Sequence, residues 1–139
     1  FIECNIKLNR MKKIFLILPA LLFQAFFFSC STVPEIPENA SATQLIQYGQ
    51  DAIDLGNYSL AETYYLTTIK RYGMDTTTYI EARYELGRLY LKKENWNKAF
   101  LQFKEILDIY DSVEIGTYPP SFQKLSKLSI NQIPEKYRN

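Results

Sequence analysis

The sequence contains no histidine among its 139 residues. That removes the side chain most often used as a general base near neutral pH and most often found on zinc. Its only cysteines are Cys4 and Cys30. Cys4 lies ahead of the expected start, so a mature chain would hold one thiol and no internal disulfide framework. There is no Gly-rich phosphate loop and no Cys-x-x-Cys pair. An excess of one charge is missing too. Of 16 basic and 15 acidic residues, four basic and one acidic precede Cys30, which leaves the rest with two more acids than bases. That balance gives no electrostatic footprint for nucleic acid and no polybasic membrane patch. Asp51 with Asp54, and Glu81 with Glu85, are close carboxylate pairs, but no nucleophile or ligand cluster accompanies them. The expectation is a protein that is not an enzyme, with no catalytic residue, cofactor or metal.

What is present falls into two regions. Six of the nine phenylalanines precede Cys30, whereas all eleven tyrosines follow it. Met11-Lys12-Lys13 makes a short basic start, so residues 1–10 are expected to be an upstream extension. Residues 14–28 are apolar except for Pro19 and Gln24, the upper length of a signal core and short for a bilayer span. Ser29-Cys30-Ser31 follows at once. This segment resembles a bacterial lipoprotein signal, with Phe27-Phe28 where Leu and a small residue are usual. The resemblance implies a signal peptide over 11–29, cleavage before Cys30 and acylation of Cys30 with palmitate-type chains. Ser31 is compatible with sorting to the outer membrane. Residues 30–41, with two prolines and two acids, are expected to form a solvated tether.

The remainder compared with itself shows a repeat at an offset of 38. Gly49 aligns with Gly87, Ala52 with Tyr90, Ala61 with Ala99, Tyr65 with Phe103 and Tyr72 with Tyr110. Each copy reads as two helices. Ser41-x-x-Gln44 and Thr78-x-x-Glu81 are capping-box spellings for the first helix of each copy. Gly56-Asn57 and Glu94-Asn95 separate the paired helices. The second helices carry apolar residues at three–four spacing: Leu60, Ala61, Tyr64, Tyr65, Thr68, Ile69 and Tyr72, then Trp96, Ala99, Phe100, Phe103, Ile106, Leu107 and Tyr110. An in-helix glycine costs about 1 kcal/mol relative to alanine, so Gly49 and Gly87 imply close approach of a partner helix. Ala61 and Ala99 are expected to face them, with Tyr65 and Phe103 one turn further on.

Glycine in the first helix, then alanine and a large aromatic in the second, twice over, resembles the tetratricopeptide repeat. The expected fold is all-α: two tetratricopeptide-type helical hairpins (42–73 and 78–111), an α-solenoid fragment, with a capping helix and tail over 112–139. Tyr118-Pro119-Pro120 would start that last helix, with Phe122, Leu125, Leu128 and Ile133 as its apolar face. The order of lipobox, proline-containing tether and elongated repeats resembles a shortened BamD-type lipoprotein of the outer-membrane β-barrel assembly machinery. That resemblance implies an envelope scaffold or adaptor, lipid-anchored at the periplasmic face of the outer membrane. Its partners would be envelope proteins such as the β-barrel assembly subunit or unfolded outer-membrane proteins. A generic periplasmic adaptor for cell-wall or secretion assemblies is the alternative.

In tetratricopeptide domains the first helices of successive repeats line a groove that binds protein. The resemblance carries that role to Thr43, Ile46, Gln50, Ile53 and Asp54 in the first copy. In the second copy it falls on Glu81, Tyr84, Arg88, Leu91 and Lys92. Tyr84 and Leu91 also fit a buried position against a neighbouring helix equally well.

Overall fold

Ser41 opens the first helix by the expected capping box. Its Oγ accepts the Gln44 backbone N–H at 3.3 Å, and Gln44 Oε1 accepts the Ser41 N–H at 2.9 Å. Five α-helices follow in the computed structural model, which describes residues 35–138: α1 Ala42–Asp54, α2 Tyr58–Tyr72, α3 Thr76–Lys92, α4 Trp96–Asp111 and α5 Pro120–Ile130. A short 3-10 turn covers Glu135–Tyr137. The signal segment, the lipobox and Cys30 lie outside the described residues. All regular structure among the described residues is helical, and none of these helices is long and apolar enough to cross a membrane.

α1 pairs with α2 and α3 with α4, and the two hairpins stack through α2 and α3 while α5 packs on α4. The two intra-hairpin turns are built alike. After α1, Gly56 takes φ 74°, its N–H bonds to the Ile53 carbonyl at 2.9 Å, and the Asn57 N–H bonds to the Ala52 carbonyl at 2.8 Å. After α3, Glu94 takes φ 54°, with its N–H on Leu91 at 3.0 Å and the Asn95 N–H on Tyr90 at 2.9 Å. Each is a Schellman closure. Asn57 and Asn95 then cap the next helix, accepting from the backbone N–H groups of Leu60 and Lys98.

The repeat's glycines are pressed by aromatic rings. Tyr65 lies on Gly49 and Phe103 on Gly87, and both rings are fully buried. Ala61 and Ala99 are also fully buried, and the three atoms nearest to a Cβ on each glycine belong to the ring. The ring is long enough to reach back across the contact and fill it.

Three expectations are corrected. The second repeat starts earlier than residue 78, and no Thr78–Glu81 capping box forms. Asp75 is the cap, accepting the Thr78 N–H at 2.7 Å, a bond that holds its exposed carboxyl below the usual range. A charged carboxylate at the N-cap outcompetes a threonine three residues later. The tether is not free throughout 30–41. Ala40 is buried, Ile36 packs on the core, and Arg71 Nη1 donates to the Pro37 carbonyl at 2.7 Å and to that of Glu38 at 3.3 Å. Tyr72 donates its hydroxyl to the Ala40 carbonyl at 2.6 Å. Finally, α5 docks through Phe122, Ser126, Ser129 and Ile130, with Ile133 buried just beyond it. Leu125 and Leu128 point outward, 39% and 51% exposed. Small serines let the helix come close to the hairpins, which a face of leucines would hold apart.

Two polar networks tie neighbouring helices. Glu62 on α2 accepts the Tyr90 hydroxyl at 2.7 Å and the Lys93 ammonium at 2.8 Å, with Lys98 at 3.7 Å. Burial alone would raise the Glu62 carboxyl. The bonds from Lys93 and Tyr90 and the two lysine charges outweigh it, and the carboxyl sits below its ordinary value. Between α3 and α4, Arg83 reaches Gln102 at 2.7 Å and Glu105 at 3.0 Å, and Tyr79 donates to Glu105.

Candidate functional site

Residues at three–four spacing on α1 and α3 point into one open cleft. From α1 come Gln50, Ile53 and Asp54, and from α3 come Tyr84, Glu85, Arg88, Leu91 and Lys92. Trp96 at the start of α4, with Ser129 and Gln132 of the C-terminal segment, completes a cavity of about 680 Å³. Seven of the ten residues expected in the groove therefore line it: Gln50, Ile53, Asp54, Tyr84, Arg88, Leu91 and Lys92.

The other three do not. Ile46 is 5% exposed and belongs to the core, because it lies on the side of α1 that meets the neighbouring helices. Thr43 is exposed near the start of α1, outside the lining. Glu81 is half-buried one turn before Glu85 and also outside it. Burial and the nearby Glu85 charge raise its carboxyl above the ordinary value.

Tyr84 and Leu91 serve both roles the sequence left open. Each packs on the core and lines the cleft. The Tyr84 ring sits 5.8 Å from that of Phe103 and 5.5 Å from that of Phe122, so the core fixes its position as a wall. Arg88 and Lys92 are exposed cations of the cleft. Arg88 Nη1 lies 3.2 Å from both carboxylate oxygens of Glu85, and its guanidinium carbon is 6.0 Å from the Tyr84 ring centre. The Arg88 side chain is 55% exposed while that of Glu85 is 10% exposed. One nitrogen of the guanidinium fork is thus engaged, and the remaining donors have no hydrogen-bond partner among the described residues. Lys92 Nζ lies 5.6 Å from the Tyr58 ring centre. Among the described residues, Lys92 has no acid within ion-pair distance.

The Tyr65 hydroxyl is a buried group without a hydrogen-bond partner among the described residues. Burial and the charge of Glu85 push it well above the usual tyrosine range, and Arg88 and Asp54 act on it as well. Those three charged residues line the cleft, whereas Tyr65 itself does not.

Four lining residues escaped the sequence reading. Glu85 is visible there only as the partner of Glu81, and Trp96 as part of a buried stripe. Ser129 and Gln132 carry no signal, because their place depends on how α5 docks. Chemically the cleft offers apolar walls (Ile53, Tyr84, Leu91, Trp96), amide groups (Gln50, Gln132) and two acids opposed by two bases. Such a lining suits a peptide segment. Among the described residues no three His, Cys, Asp or Glu side chains gather as a metal site.

No protein-family model matches the chain, and no solved structure matches it either. It is similar to an uncharacterized protein of Treponema pallidum (strain Nichols), 27% identical over 117 residues. The match covers 82% of this chain and 47% of the relative, so the chain spans about half of that protein's length.

Proposed function

We propose that this chain is a lipid-anchored, protein-binding adaptor of the bacterial envelope, acting in outer-membrane β-barrel assembly. The observation that carries the binding role is the cleft, where exposed Arg88 stands between apolar walls built by two successive hairpins. The anchor rests on Ser29-Cys30-Ser31 behind an apolar signal core. Barrel assembly rests on the resemblance of lipobox, tether and elongated repeats to BamD-type lipoproteins. The favoured occupant is an extended segment with an apolar or aromatic side chain and a carboxylate. The side chain would lie against Tyr84 and Leu91, and the carboxylate on the free donors of Arg88.

Co-purification from membranes tests this. Arg88→Gln removes the charge and should weaken partner binding by about 1.5–3 kcal/mol, the range for hydrogen bonds to charged groups. Lys136→Gln, in the exposed tail, should leave it unchanged. Full retention of every partner by a folded Arg88→Gln protein rejects the cleft. If wild type captures envelope proteins but no barrel-assembly component, the generic periplasmic adaptor replaces the more specific role.

A further inference from the structure

Short connections make successive helices antiparallel, so the start of α1, the end of α2, the start of α3, the end of α4 and the start of α5 share one end of the bundle. Two repeat-equivalent tyrosines mark that end. Tyr72 bonds to the Ala40 carbonyl before α1, and Tyr110 donates to the Pro119 carbonyl before α5 at 2.5 Å. Two loop residues project from the same end with their apolar side chains in water: Met74, 99% exposed, and Ile115, 108% exposed.

The chain leading into the domain is pinned there as well. Ile36 packs on the core, and Arg71 and Tyr72 hold the backbone of Pro37, Glu38 and Ala40. Cys30 is six residues before Ile36. Fully extended, six residues reach about 20 Å. A lipid on Cys30 would therefore keep this end of the domain within about 20 Å of the bilayer.

We infer that the end carrying the α2–α3 and α4–α5 loops is a membrane-facing surface, with Met74 and Ile115 seated in the lipid interface. This rests on the lipid-anchor reading of Cys30. The charges near the surface are mixed: Lys70 and Arg71 against Asp75, Asp111 and Glu114. Contact is therefore driven by the acyl chains and the apolar tips and not by anionic headgroups. Leu55, 85% exposed in the α1–α2 turn at the opposite end, is equally apolar but points away from the bilayer.

In the mature lipidated protein an introduced cysteine is the sole free thiol, which makes the surface readable. Met74→Cys, Ile115→Cys and Leu55→Cys are each labelled with an environment-sensitive fluorophore in full-length protein on phosphatidylethanolamine–phosphatidylglycerol vesicles. Lipids carrying a quencher in the acyl chain are then added. Labels at 74 and 115 should shift to the blue and lose most of their emission, whereas the label at 55 should do neither. Changing the phosphatidylglycerol fraction should leave this pattern as it is. Equal quenching at all three positions, or at none, in protein that carries palmitate overturns the orientation. Protein without palmitate removes the anchor and with it the inference, so the two failures are told apart by the lipid label.

Discussion

Gly49 and Gly87 show how single residues set the hairpin geometry. A Cβ on Gly87 would lie 2.6 Å from Phe103 Cε1 and 2.7 Å from Cζ, and the ring is fully buried with nowhere to retreat. Gly→Ala in a helix gains about 1 kcal/mol of propensity, against about 1–3 kcal/mol for overpacking a filled core. Overpacking should win at this distance. Gly87→Ala is expected to lower the melting temperature by several degrees in a thermal melt. Combining it with Phe103→Leu should cost less than the two changes added together, because they share one contact. The 38-residue offset made the glycine–aromatic pair legible in the sequence. How tightly the ring presses on the glycine was not legible, since a stripe at three–four spacing carries no distance. The second copy places Phe103 where the first has Tyr65, so only the first carries a buried hydroxyl at this position.

At the scale of helices and turns, what was readable came from local chemistry. Ser41 with Gln44, Gly56 with Asn57, and Pro120 at the first turn of α5 all act where the sequence put them. Asp75 was missed because a second cap spelling, Thr78 and Glu81, lay three residues on. The face of α5 was missed for a different reason. Counting apolar residues selects Leu125 and Leu128, while close packing selects Ser126 and Ser129. The two Schellman turns also differ in one respect that is open to measurement. Gly56 adopts its left-handed conformation freely, whereas Glu94 does so without a hydrogen bond or ion pair of its side chain among the described residues. The left-handed region costs a non-glycine residue about 1–2 kcal/mol, and glycine returns about 0.5–1 kcal/mol as unfolded-state freedom. Glu94→Gly should therefore stabilise the domain by roughly 0.5–1 kcal/mol. Urea unfolding would show a higher midpoint at unchanged slope. A lower midpoint would mean that Glu94 contributes something its surroundings do not reveal.

For the whole molecule, the cleft exists only because two hairpins and the C-terminal segment stack. The Glu62 and Arg83 networks join α2 to α3 and α3 to α4, and α5 closes the cleft with Ser129 and Gln132. Seven of the residues lining the cleft were legible because helix spacing fixes which residues share a face. The contribution of α5 was not, because it depends on a docking geometry between distant segments.

The central claim is that this cleft receives another protein. Site-specific photo-crosslinking in cells measures it most directly. A photoreactive phenylalanine analogue at Gln50, inside the cleft, is compared with one at Leu101, on the exposed side of α4. Discrete adducts from position 50 that vanish when Arg88→Gln is added, with none from position 101, are the expected result. Adducts from 101 but not from 50, or adducts at 50 indifferent to Arg88, would contradict the account.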